Sequence, residues 1–189
     1  MTLRFIIPSL LIATTCAFLV SLGFWQLDRA DEKRSIEAAI KKANSGAVEL
    51  IVSEDNLQDK EYYLVRLQGE YINDKQFIYD NQIVDQVSGY YVLTPFALND
   101  QSKAILINRG FIPWNGRRDK LADIFIEQGE REVKVQISKP IKRIELKVSE
   151  VSREFPVQLQ ALDIEEMSAI AQLDFLQVVG LLDANSIDG

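Results

Sequence analysis

YYLVRLQGEY, residues 62–71, alternates its side chains: Tyr63, Val65, Leu67 and Tyr71 fall on one side, and Arg66, Gln68 and Glu70 on the other. That period of two is the pattern of a strand with one buried face. Asn73-Asp74 supplies a turn, and residues 76–81 read as a matching strand, so the two are predicted to form a hairpin. Residues 89–98 and 103–113 make a second pair about Asn99-Asp100-Gln101. Further short strands are expected at 132–138, 144–148 and 175–182. Residues 114–122 read as a polar loop entering a short helix, and 162–173 have helical spacing. The expected fold is α+β, mainly β: a small antiparallel barrel-like domain with short helices, in which closure protects the strand edges.

Upstream of this domain the sequence changes character. Residues 5–27, FIIPSLLIATTCAFLVSLGFWQL, contain no charge, and about 20 apolar residues suffice to cross a ~30 Å hydrocarbon layer. They are predicted to form a transmembrane helix, with Pro8 in the first turn and Trp25 at the far interface. A cleavable signal peptide fits less well, because the apolar run is long and no A-x-A site precedes Asp28. A lipoprotein site at Cys16 is disfavoured by Thr14 and Thr15. Residues 28–46 continue as an amphipathic stalk, with Ile36, Ala39, Ile40 and Ala43 at three- and four-residue spacing and Asn44-Ser-Gly46 as its end. The extramembrane domain is then 47–189.

Composition excludes several classes of function. The chain has 21 Lys and Arg against 28 Asp and Glu, and Arg4 is the only charged residue before Asp28, so the remainder has 20 basic against 28 acidic, a net of −8. Such a surface repels polyphosphate, and no nucleic-acid partner is expected. There is no histidine, hence neither the commonest metal ligand nor the commonest general base. A single cysteine permits no intrachain disulfide. No cluster pairs a nucleophile with a base or has metal-ligand spacing, so no catalytic residue and no metal site is assigned. Glycoside chemistry needs only two carboxylates, but no clustered acidic pair supports it.

Four local patterns stand out. At the membrane exit Trp25, Gln26, Arg29 and Lys33 suit either interfacial anchoring or contact with a partner. Tyr79-Asp80-Asn81-Gln82 is followed by Ser88-Gly89-Tyr90-Tyr91-Val92-Leu93-Thr94-Pro95-Phe96, where Gly89 permits a bulge or close approach and Pro95 ends ladder pairing on one side. In residues 105–113 Asn108, Arg109 and Gly110 interrupt an apolar strand, and a buried arginine needs a carboxylate, propionate or backbone partner. Residues 154–159 lead into a helix that Asp163 is placed to cap.

In this order and spacing, LGFWQLDRADEK (22–33), GEY (69–71), SGYYVLTPFAL (88–98), ILINRGFIP (105–113) and PVQLQALD (156–163) resemble the surfeit locus protein 1 family of cytochrome c oxidase assembly factors. The resemblance implies an inner-membrane protein, not an enzyme, whose main domain faces the periplasm, or the intermembrane space in mitochondria; with no presequence ahead of Phe5, the bacterial, periplasmic version is expected. It would act as a chaperone in the assembly of the respiratory chain, supporting haem a insertion into, or maturation of, oxidase subunit I alongside other assembly factors. Trp25, Gln26, Arg29, Lys33, Tyr90, Asn108 and Arg109 become candidates for contact with a partner or with haem propionates, and Gly89, Pro95 and Gly110 for the shape of the domain. Family members usually continue into a second membrane helix, and the histidine proposed to contact haem lies in that region; this sequence stops at Gly189 without one. Either the sequence is cut before that helix or it is a variant that works only by protein contact; any contact with haem a is expected to be transient, with no ligating histidine in this chain. A tethered periplasmic binding module unrelated to the oxidase is the alternative.

Overall fold

The computed structural model describes residues 3–46, 49–50, 57–99, 102–116, 121–140 and 154–183. They fall into two compact units, a long amino-terminal helix and a β domain. Helix α1 (Leu3–Asn44) contains the whole uncharged run, with Pro8 in its second turn. It is one helix long and apolar enough to cross a membrane. Its apolar side chains, among them Phe18, Leu19 and Phe24, are exposed within the molecule, as expected of a helix whose solvent is lipid. The stalk half carries i,i+3 ion pairs, Arg29–Glu32 at 2.6 Å and Arg34–Asp31 at 2.8 Å.

The β domain is built from β1 (Glu49–Leu50), β2 (Leu64–Tyr71), β3 (Phe77–Val84), β4 (Val87–Leu98), β5 (Ala104–Pro113), β6 (Arg131–Ser138), β7 (Val157–Leu159) and β8 (Phe175–Leu182), with helix α2 (Ile164–Ala171) before the last strand. Five strands close a ring in the order β2-β6-β8-β5-β4 and back to β2. Alongside it, β3 pairs with β4, β7 with β3, and β1 with β2. The ring is the small barrel expected of the alternating strands, but its sheet is mixed: β1–β2, β3–β7 and β5–β8 run parallel.

Alternation explains how one short barrel acquires two cores. On β5, Ile105 and Ile107 point into the ring beside Val65, Leu67, Phe96, Val135 and Val178. Ala104 and Leu106 point outward to the layer that α2 covers with Ile164, Met167 and Ala171. Both faces of its first half, residues 104–107, are therefore buried, which is why that stretch is apolar throughout. Each fully buried Ile, Leu or Phe contributes about 1.5–3 kcal/mol.

One sequence expectation needs correction. Residues 62–71 and 76–81 do not form a hairpin with each other; β3 pairs instead with β4 through the two-residue turn Asp85-Gln86, both at positive φ (47° and 67°). A turn of that kind matches strand twist, and it leaves β2 free to pair with β6 and with the far end of β4. Of the loop entering a short helix expected at 114–122, residues 117–120 lie outside the described residues; beyond them residues 121–128 run without regular structure and are held by side chains, as described below. The expected strand at 144–148 lies outside the described residues. The pair 89–98 with 103–113, the strand at 132–138, the helix within 162–173 and the last strand fall where the patterns put them.

Strand β4 is the organising element. One side pairs with β5 from Gly89 to Ala97. The other side pairs with β3 as far as Leu93 and with β2 from Phe96 onward. Pro95 lies in the gap, its carbonyl accepting from Ile72 N at 2.9 Å on the side where no N–H is available to donate. The ladder with β3 thus stops at Leu93, two residues short of Pro95, and the same side resumes at Phe96 with a different strand.

Candidate functional site

The residues singled out in the β domain gather around a strap of irregular chain, residues 121–128. Its polar backbone is satisfied by side chains of the sheet. Ala122 N donates to Tyr90 Oη at 3.0 Å. Ile124 O accepts from Arg109 Nη1 at 2.7 Å and from Gln76 Nε2 at 3.3 Å. Asn73 both donates to Ile126 O and accepts from Ile126 N. Gly129 N, just beyond, donates to Glu70 Oε1 at 2.9 Å. Buried backbone polar groups must be paired, and here the partners come from β2, β4, β5 and the 3-10 turn Asn73–Lys75.

Arg109 reaches the strap because of a bulge. Leu93 pairs with Asn108 and Tyr91 with Phe111, so Arg109 and Gly110 together face Val92. Gly110 takes φ 124°, and its N–H donates to Asn108 Oδ1 at 3.0 Å. Asn-Arg-Gly is thus a bulge with its own side-chain clasp, and the extra residue re-aims the arginine. The guanidinium ends on a backbone carbonyl and near Gln76 Oε1 at 3.4 Å. Gln76 Oε1 also accepts from the buried Thr94 hydroxyl at 3.0 Å, which fixes the amide that meets both arginine and strap.

Beneath the strap Tyr90 packs on Trp114, ring centroids 4.4 Å apart, in a small core with Ile78 and Val92. Trp114 Nε1 donates to Asp80 Oδ1 at 2.9 Å, an acceptor carried by the interruption in β3 between Tyr79 and Gln82. Leu121 and Ile124 close this core from the strap side. An open cleft of about 340 Å³ lies along the strap, walled by Asn73, Asp74, Gln76, Phe155 and Pro156. Phe125, at the strap's crest, is 66 % exposed.

The arrangement therefore unites Tyr90, Asn108, Arg109 and Gly110, with Gly89 and Pro95 shaping the strand that carries Tyr90. Trp25, Gln26, Arg29 and Lys33 belong to the separate helical unit, where Trp25 is 62 % exposed and Arg29 pairs with Glu32. Sequence reading missed Asn73, Gln76 and the strap itself. Their polar side chains beside a turn looked like solvent-facing loop chemistry, and only three-dimensional proximity shows Asn73 bonded to Ile126.

Among the described residues no group of three or more Cys, Asp or Glu is placed to hold a metal ion. Of the histidine, cysteine and methionine donors that commonly hold haem iron, the sequence has no histidine, Cys16 lies in α1, and Met167 is wholly buried on the inner side of α2. No step through haem iron is derived for these residues. Nor do the polar groups of the strap pair a nucleophile with a base. The site is a shaped surface.

A sequence profile of the SURF1 family matches residues 13–188, nearly the whole chain. The chain belongs to the SURF1 family. It is 36 % identical over 114 residues to a SURF1-like protein of Rickettsia bellii, an alignment covering 59 % of this chain and 44 % of the relative. It is 31 % identical over 129 residues to the SURF1-like protein of Caenorhabditis elegans, covering 56 % and 39 %. Surfeit locus protein 1 of Rattus norvegicus is 31 % identical over 107 residues, covering 49 % and 35 %. The chain thus aligns with less than half the length of each of these SURF1 relatives.

Proposed function

We propose that this chain is a membrane-anchored, non-enzymatic assembly factor for cytochrome c oxidase, supporting haem a insertion into, or maturation of, subunit I from the periplasmic side of the inner membrane. SURF1 family members are cytochrome oxidase assembly factors and are generally not enzymes. The observation that carries the proposal is the family match across residues 13–188, which takes in most of the membrane-capable helix and the domain behind it.

The geometry suits a scaffold. Helix α1 would hold the chain at the bilayer, where Trp25 sits at the interface and Arg29 and Lys33 reach the headgroup level. The β domain would offer a rigid face, with the strap fastened by Tyr90, Gln76 and Arg109, to the oxidase subunit or to other assembly factors. If haem propionates are met in transit, arginine is the suitable residue for them, because its planar fork matches a carboxylate in two places.

The test is a reduced-minus-oxidised spectrum of membranes from a deletion strain, paired with oxidase activity. Selective loss of the haem a band, with b- and c-type haems intact and function restored by the gene in trans, is the expected result. An unchanged spectrum and activity would overturn the proposal and point to a tethered binding module.

A further inference from the structure

Among the described residues of the β domain, Phe125 is the most exposed large apolar side chain apart from Ile83, and it stands on the strap. Exposed phenylalanines on loose chain are unremarkable. This one is carried on a segment whose neighbours on both sides are fixed: Ile124 O is held by two side chains and Ile126 by both of its backbone polar groups. An aromatic ring held rigidly in water loses little conformational freedom when a partner covers it, the property that makes such rings anchors at interfaces. The cleft of about 340 Å³ beside it has room for a side chain entering from the other direction.

Charge narrows the partner. On the strap Asp123 and Glu127 flank Phe125 at two residues' distance and are exposed, and Asp74 is exposed on the wall of the cleft. The whole chain beyond Leu27, every lysine and arginine included, is net −8. A partner approaching this face meets negative potential at long range and an apolar anchor at contact, a combination that selects basic segments with apolar side chains.

We propose that the crest of the strap, centred on Phe125, is the docking point for a cationic polypeptide segment that presents an apolar side chain to the adjoining cleft. In cells that also make the oxidase, this rests on the assembly-factor reading for the identity of the partner, but not for its chemistry.

The experiment is photo-cross-linking in living cells from the full-length, membrane-inserted chain, with Phe125→p-benzoyl-L-phenylalanine and the same probe at exposed Gln58 as the control. The expected result is a discrete product from position 125 and not from 58, whose joined partner peptide carries more Lys and Arg than Asp and Glu. Asp123→Lys with Glu127→Lys should lower its yield at least fivefold at equal chain abundance. No product, a lipid adduct, a second copy of this chain, or an acidic partner peptide would overturn the proposal. A cationic partner unconnected with the oxidase would uphold the surface while removing the assembly reading; loss of haem a on deletion, with no product at 125, would do the reverse. Phe125→Ala is expected to leave chain abundance unchanged and to abolish formation of the complex, measured by cross-linking from the exposed Gln128→p-benzoyl-L-phenylalanine in the same background.

Discussion

The ring of Phe111 lies across the backbone of Gly89, where a side chain would otherwise stand. A Cβ at position 89 would come within 2.4 Å of Phe111 Cζ and 2.3 Å of Ile112 O. The ring can swing away, but the carbonyl belongs to the pairing of β4 with β5 and cannot move without breaking it.

Gly89→Ala is therefore expected to destabilise the β domain by about 1–3 kcal/mol, the usual range for overpacking. Chemical denaturation of the detergent-solubilised chain measures it, with the exposed Ser88→Ala next door as a control within about 0.5 kcal/mol of wild type.

Arg109→Ala removes the donor that holds Ile124 O. Hydrogen bonds to charged groups contribute about 1.5–3 kcal/mol, so a comparable loss of stability is expected, together with faster proteolytic cleavage within residues 121–128. Arg66→Ala breaks an exposed pair with Glu132 at 3.4 Å and should cost no more than about 1 kcal/mol. In membranes, Arg109→Ala should lower oxidase activity more than Arg66→Ala at matched protein level. Arg109→Lys should recover part of the stability and less of the activity, since lysine keeps the charge but not the planar fork.

Asp163→Ala deletes the cap of α2, where one carboxylate oxygen accepts from both Glu165 N and Glu166 N. The expected cost is about 1 kcal/mol, with Asp163→Asn close to wild type; thermal melts of the two variants should rank in that order.

Leu19→Arg places a charge inside the uncharged run of α1. Burying it in the bilayer costs about 2.5–3.5 kcal/mol on insertion scales, so the fraction of chain retained in membranes after alkaline extraction should fall well below that of Leu19→Ala.

Where sequence legibility ended follows from the range of the forces involved. The alternation of residues 64–71, the apolar run at 104–107 and the Asp163 cap are local, because each residue's role is set by neighbours a few positions away. The β3–β4 turn escaped because Asp85-Gln86 lacks the Asn-Gly or Asp-Gly signal, although both residues adopt positive φ. The strap escaped because Asn73 fastens Ile126, and Gln76 and Arg109 fasten Ile124, so that a turn and a bulge far apart in sequence hold a segment that carries no periodic pattern of its own. Gly89, Pro95, Asn108, Arg109 and Gly110 were legible as special positions. Their common purpose, setting the path of β4 and aiming one guanidinium at one carbonyl, was not.

The place of β8 has a consequence for how the protein is made. It lies between β5 and β6 in the ring, yet it follows both in the chain. While the ribosome adds the roughly 44 residues that separate β6's end from β8's end, at about 5–20 residues per second, the sides of β5 and β6 that β8 will occupy have no partner. For several seconds of every synthesis the nascent chain displays two open strand edges, the feature most prone to mispair with other chains. The last of the ring strands to emerge is the one that ends this exposure, so a ribosome that stalls or a message that breaks before Phe175 would release a product prone to aggregation or degradation.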